Sequence, residues 1–299
     1  MTAIKLGVTL PQFTEGRERF LDGVARAEAA GLDSVWLFDH LWPLSGGKER
    51  AILEGWTALA YVAARTTNIG VGTLVTRSTL RPPALLGKMA ATVAALAPGR
   101  TTIGVGSGDD MSRRENEEFG FEYFAAEQRF AQFASTVHAL RSYLHEDVVA
   151  QTDDFISLTG LPTSPRPTPP PLWIAGRSTP MLEIAGRYGD GWNGWGGTPE
   201  SFARDAALVR EAAGVRRVEL TWAGLAVMGR DDGDARSRLG DRHPSDYLVG
   251  GPATIAARLK EFVAAGATHL VLTLTDPGRP GMYEMLGAEV KPALDSSAR

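Results

Sequence analysis

A single-domain α/β protein, a (β/α)8 barrel with a small insertion around residues 145–171, is predicted by three features of the sequence. Short apolar runs alternate with longer stretches whose apolar residues recur at helical spacing. The short runs are apolar at nearly every position, as expected of parallel strands covered on both faces. Eight such runs occur in 299 residues. An open doubly wound sheet also fits the alternation, but eight repeats in a chain of this length favour the closed barrel.

The elements follow in order. "IKLGVTL" at 4–10 reads as the first strand, and the helical pattern at 19–31 closes on Gly31, a residue suited to the position just past a helix end. "SVWLF" at 34–38 is the second strand, with a helix over 56–66. The third strand is 68–76. Pro82 and Gly99 bracket a helix over 82–99. The fourth strand is 101–107, followed by a long helix over 125–144. Residues 145–171 break the rhythm: "VVAQTDDFISL" suggests a small hairpin and "PTSPRPTPPP" a connection. The alternation resumes with strand 172–176, helix 179–189, strand 191–195, helix 198–214 and strand 218–229. A polar segment around 230–250 is expected to be a mobile loop. Helix 252–266 and strand 268–274 complete the pattern.

Composition removes several function classes. The chain is 43% hydrophobic and 22% charged, with a net charge of −4 and no basic run, so a nucleic-acid footprint is absent. No apolar stretch reaches 18 residues and no signal-peptide pattern opens the chain. A soluble, cytoplasmic protein without a membrane partner is the expectation. With no cysteine there are no disulfides, thiolate nucleophiles or thiolate metal sites. No two histidines have metal-ligand spacing, and neither a G-x-x-x-x-G-K-[ST] nor a G-x-S-x-G motif occurs.

In a barrel, chemistry sits at the C-terminal ends of the strands. There the second strand ends on Asp39-His40, an acid and an imidazole able to move a proton near neutral pH. The competing reading is that the pair merely caps a loop. "GVGSGDD" (104–110) brings Gly106, Ser107, Gly108 and Asp109 to the fourth strand's end. Its glycines would let the backbone approach a ligand, although Asp109 stands where a dinucleotide fingerprint needs glycine. Gly176, Arg177, Ser178 and Thr179 run from a strand into a helix start with Pro180 in its first turn. Backbone N–H groups, two hydroxyls and a guanidinium there suit an anion; plain N-capping is the alternative. Trp42 and Trp195 lie past strand ends and are candidates to stack on a flat ligand, whereas Trp36 and Trp173 read as packing. His138 and His145 carry no evident chemistry, His243 falls in the polar segment, and His269 opens the last strand. "SRREN" (112–116) carries charge that suits an anionic substrate or a polyglutamate tail; the competing and favoured reading is a solvated charged loop.

Taken together and in order, "IKLGVTLPQF", "GLDSVWLFDHL", "NIGVGTLVTRSTLRPPALLGKMAATVAALAPGRTTIGVGSG", "EEFGF", "PLWIAGRSTPMLEIAGRYGDGWN" and "GGPATIAARLKEFVAAGATHLVL" resemble the bacterial luciferase-like superfamily, and within it the deazaflavin-dependent oxidoreductases. The resemblance covers nearly the whole chain. It implies a (β/α)8 barrel with an insertion, and hydride transfer between coenzyme F420 and a small organic substrate. It places Asp39 and His40 beside the coenzyme's reactive carbon, with His40 moving the substrate proton and Asp39 orienting it. A pocket carboxylate after the fourth strand, usually Glu, is matched by the shorter Asp109. The third strand's end, Leu74, Val75 and Thr76, would carry a bulge with a non-proline cis peptide at Leu74–Val75 against the ring. Residues 176–179 match the phosphate-binding stretch. Arg77 and Arg81 are candidates for the coenzyme's tail or a phosphate. The alternatives are an FMN-dependent luciferase-like monooxygenase and a non-catalytic flavin-binding protein. The substrate would be chosen by loops 41–55, 109–124 and 230–250. The family often forms homodimers.

Overall fold

The computed structural model describes residues 3–13, 17–43 and 47–295. Residues 44–46, within the loop at 41–55, lie outside that range. The chain runs β1 (Lys5–Thr9), α1 (Arg17–Ala29), β2 (Ser34–Leu37), α2 (Gly55–Arg65), β3 (Gly70–Thr73), β4 (Thr76–Arg77), α3 (Pro83–Leu96), β5 (Thr101–Gly106), α4 (Arg113–Glu118) and α5 (Ala126–His145). The hairpin β6 (Val148–Thr152) and β7 (Ser157–Pro162) follows. Then come β8 (Leu172–Ala175), α6 (Thr179–Tyr188), β9 (Gly191–Trp195), α7 (Pro199–Ala213), β10 (Glu219–Met228), α8 (Asp232–Leu239), β11 (Tyr247–Gly250), α9 (Pro252–Ala264) and β12 (His269–Leu274). A helical segment closes the described chain: α10 (Met282–Met285), a π-turn at Leu286–Val290, and α11 (Lys291–Asp295).

Parallel strands β1, β2, β3, β5, β8, β9, β10 and β12 pair in that order, and β10 pairs with both β9 and β12 to close the barrel. The insertion at 145–171 is the antiparallel β6–β7 hairpin plus its proline-rich exit. Alternation along each strand sends side chains to two cores. Val35 and Leu37 of β2, Leu172 and Ile174 of β8, and Leu220 and Trp222 of β10 pack outward against the helices. Trp36, Leu74, Trp173, Ala223 and Val271 fill the barrel interior. The Trp36 and Trp173 rings stack at 4.5 Å, as their packing role required. Two such rings fit because neighbouring strands carry glycine. A Cβ on Gly72 would lie 2.5 Å from the Trp36 ring, and one on Gly191 would lie 2.4 Å from the Trp173 ring. Large beside small is how a barrel lumen reaches close packing.

Besides 112–116, where α4 buries Glu115 and Asn116, three segments depart from the sequence reading. The polar stretch at 230–250 is not a loop throughout; it holds α8 and β11. Asp231 caps α8 by accepting the Asp234 N–H at 2.8 Å. Asp232 accepts the Gly251 N–H and the Thr254 hydroxyl at 2.8 and 3.0 Å. β11 extends the edge of β10 over Leu225–Met228. Only Ala235 of α8 is buried, so its sequence lacks an apolar stripe. The predicted strand at 68–76 is interrupted: β3 ends at Thr73, the Leu74–Val75 peptide is cis, and β4 resumes against β5. The closing helical segment at 282–295 lies beyond the last predicted element. No helix among the described residues is long and apolar enough to cross a membrane.

Candidate active site

The C-terminal rim of the barrel is built upward from β2. Gln12 fixes its exit. The amide donates to Phe38 O at 2.8 Å and Leu53 O at 2.7 Å, and its carbonyl accepts the Phe38 N–H at 2.9 Å. This buried side chain ties the ends of the first two strands to the approach to α2 and so sets the height of Asp39 and His40.

Asp39 is 1% exposed and takes a two-pronged contact from Arg81, at 2.6 and 3.0 Å. Arg81 also reaches Glu54 at 2.5 Å, and Glu54 caps α2 by accepting the Trp56 and Thr57 N–H groups. Burial pushes the Asp39 carboxyl up, and the adjacent guanidinium opposes that push. Arg81 itself is raised: burial lowers it, but the Asp39 and Glu54 carboxylates more than offset this. Two expectations change here. Asp39 does not orient His40, because Arg81 occupies its carboxylate. Arg81 is held by these two acids rather than presented to a phosphate or tail.

His40 is oriented instead by Glu115, inside a stretch whose charge pattern reads as a solvated loop. His40 Nδ1 lies 2.9 Å from Glu115 Oε2. Glu115 Oε1 accepts the Leu41 N–H and, at 3.3 Å, the Trp42 N–H, and pairs with Arg77 Nη2 at 3.0 Å. Burial alone would raise the Glu115 carboxyl. The bonds from His40 and Leu41 and the Arg77 charge outweigh burial and hold it below the ordinary carboxylate range. Arg77, buried, also donates to Asn116 Oδ1 at 2.9 Å, so it too is committed internally. The signal for Glu115 was spacing. Ser112, Glu115 and Asn116 are buried at i, i+3 and i+4, one face of a helical turn made of polar residues.

Asp109 is exposed and accepts the Ser112 N–H and hydroxyl at 3.0 and 2.9 Å. Its carboxylate caps the turn before α4, and the carboxylate on His40, Glu115, comes six residues later. The glycines of "GVGSGDD" have a protein partner. A Cβ on Gly104 or Gly106 would stand 2.7 or 2.9 Å from the Val75 methyl groups, so these positions seat the bulge. Gly108 adopts φ +75°, which favours glycine. Ser107 donates weakly to Gly108 O at 3.2 Å. Thr76 sits beneath the bulge, its hydroxyl accepting the Trp56 indole N–H at 2.8 Å. Leu74 faces the lumen core, and Val75 is half-buried above it.

Across the rim, Ser178 is the N-cap of α6, yet its side chain makes no capping bond. Gly176 accepts the Trp192 indole N–H at 2.8 Å through its carbonyl, with φ +142° and Met181 Cβ 2.8 Å from where its own Cβ would stand. Thr179 opens the helix. Arg177 leans away to Asp205 at 2.6 Å, so it is already paired. Trp195 remains 40% exposed, edge-on to Phe38 at 6.0 Å. Trp42 stands edge-on to Phe119 at 6.4 Å beneath Lys48.

Comparisons with known proteins agree with this architecture. Over 98% of this chain and 99% of its own, the structure of an F420-dependent secondary alcohol dehydrogenase in complex with an F420–acetone adduct superposes with a TM-score of 0.86, at 19% identity. An F420-dependent glucose-6-phosphate dehydrogenase of Kineococcus radiotolerans is 27% identical over 97% of both chains. An F420-dependent hydroxymycolic acid dehydrogenase of Mycobacterium tuberculosis is 30% identical over 87% of this chain and 67% of its own. The model of the luciferase-like monooxygenases matches residues 2–247, and the chain belongs to that family.

Proposed function

We propose that this protein is an oxidoreductase that uses coenzyme F420 to exchange a hydride with a small organic substrate. The observation that carries the reading is His40. It stands 21% exposed at a strand end with one ring nitrogen on a buried carboxylate, while Nε2 has no hydrogen-bond partner among the described residues. Relatives that span the chain and are named as F420-dependent dehydrogenases support it.

The residues fit the coenzyme. Its ribityl phosphate calls for an anion cradle, and the start of α6 offers first-turn N–H groups, an uncommitted Ser178 hydroxyl and the Thr179 hydroxyl. Gly176 brings the chain to the start of α6 in a backbone conformation, φ +142°, that favours glycine, and Arg177 contributes charge at a distance rather than a direct clamp. A flat ring calls for an apolar wall; Val75 on its glycine seat supplies one side and Trp195 another. Gly106, Ser107 and Gly108 line the adjoining strand end, and Asp39 the floor beside His40.

When bound, the deazaflavin supplies a carbon that accepts or returns a hydride. This chain's residues do the rest. His40 takes the substrate hydroxyl proton as the hydride leaves, or returns it in the reverse direction. Asp39 and Arg81 hold a fixed buried charge pair beside that step. Thr76 and Trp56 keep the bulge from moving.

Side-by-side fluorescence titrations with coenzyme F420 and with FMN test the reading. Micromolar or tighter F420 binding with weak FMN binding supports it. The reverse preference would replace it with an oxygen-using flavin monooxygenase. Binding of a cofactor without turnover of any alcohol or carbonyl compound screened would turn it to a binding protein.

A further inference from the structure

We infer that Glu115 is the positioning residue that fixes the tautomer of His40, holding the proton on Nδ1 and leaving Nε2 as a bare proton acceptor. The inference rests on the proposed function only for what Nε2 acts upon; the tautomer itself is a property of this chain.

The argument is a count of donors and acceptors around one carboxylate. An ionised carboxylate only accepts. Oε1 is claimed by the Leu41 and Trp42 N–H groups, with the Arg77 charge 3.0 Å away. Oε2 is therefore the atom left for the imidazole, 2.9 Å from Nδ1. A neutral ring facing an acceptor-only group must present N–H to it, so the lone pair falls on Nε2. The carboxylate is fixed in turn. It is 1% exposed, and it is held by the N–H groups of the chain just past β2 and by the charge of Arg77 on β4. Its own residue sits in α4, so three separate segments set the ring. Asp39 cannot take this part, since Arg81 holds both its oxygens.

Glu115→Gln makes the arrangement testable, because the amide is nearly isosteric but has one acceptor atom. The cluster of donors at the Oε1 position selects the amide oxygen. The NH2 group is then turned to His40 Nδ1, which must become an acceptor. The proton moves to Nε2, and the base is lost without a change of shape. Removing a general base or inverting its tautomer lowers turnover by about 10²–10⁴-fold.

The experiment uses the full chain labelled with 15N-histidine, free of cofactor. The protein has five histidines, and the His40 signals are assigned by their loss in His40→Ala. Two-bond 1H–15N correlations at about two pH units above the ordinary imidazole value report which ring nitrogen carries the proton. The expected result is the Nδ1–H form in the wild type and the Nε2–H form in Glu115→Gln. With a substrate found by the F420 screen, kcat falls by about 10²–10⁴-fold while KM changes little. A wild-type spectrum with the proton on Nε2, or with both forms mixed, would overturn the inference, and so would a variant that keeps the wild-type tautomer. The wild-type spectrum decides even if the variant does not fold. Failure to bind F420 would remove the functional reading and leave this result standing.

Discussion

Acid should loosen this barrel through one imidazole at the bottom of its lumen. His269 is buried at the start of β12, with Nε2 2.7 Å from Ser34 Oγ and its ring edge-on to Trp36 and Trp173 at 5.7 and 5.0 Å. Desolvation, helped by the Lys5 charge, drives its value down to about 3 from the ordinary 6.5. Because the folded value is depressed, the unfolded chain takes up this proton first. Above about pH 6.5 both states hold the neutral ring and the group adds no slope. Between about 6.5 and 3, each unit of acidification removes about 1.4 kcal/mol of stability. At pH 5 the accumulated loss is about 2 kcal/mol, a figure that stays the same for any folded value below about 4. Urea unfolding of wild type and His269→Gln at a series of pH values between about 8 and 5 isolates the effect, since the other titrating groups are common to both. The wild-type curve should fall below the variant's by about 2 kcal/mol more at pH 5 than at pH 8. Parallel curves would refute the reasoning, and so would a 15N spectrum in which all five imidazoles protonate above about pH 5.5.

Other perturbations follow from the same geometry. Gly72→Ala should lower the urea midpoint by at least the equivalent of about 1–3 kcal/mol, because the methyl meets the Trp36 ring and Thr102 O at 2.5 and 2.6 Å. Asp39→Asn should cost about 3 kcal/mol by leaving Arg81 short of a buried partner, and adding Arg81→Met should recover much of it in the same melts. Asp109→Ala should cost about 1 kcal/mol through loss of the Ser112 cap. A fall in turnover beyond tenfold at unchanged stability would instead mark Asp109 as an acid. Ser178→Asp should move two readouts in opposite directions. A carboxylate at the start of α6 raises Tm slightly, yet weakens F420 binding by tenfold or more by taking the anion's place; equal affinity would take the phosphate away from this helix.

The architecture was legible because it is written in local patterns, and the site was legible only in part because its wiring is not. Apolar runs, glycine past helix ends and proline at helix starts each act within a few residues, and they placed the eight barrel strands within a residue or two wherever the chain follows a regular period. They failed at 230–250, where α8 buries one alanine and is held by aspartate caps, so no apolar stripe marks it. Position on the rim likewise followed from the strand ends, and it put Asp39, His40 and the start of α6 together. What each carboxylate binds could not follow, because adjacency in sequence is a poor guide past a strand end. Neighbours there point to opposite sides, so Asp39 and His40 find separate partners, 42 and 75 residues away. Those partners are an arginine and a glutamate inside charged, loop-like stretches, the residue types most often left to solvent. Charge is tolerated in such a place only when it is paired. A polar helical face such as Ser112, Glu115 and Asn116, soon after a barrel strand, therefore marks a buried network rather than a surface, and it is the pattern by which the partner of His40 could have been found.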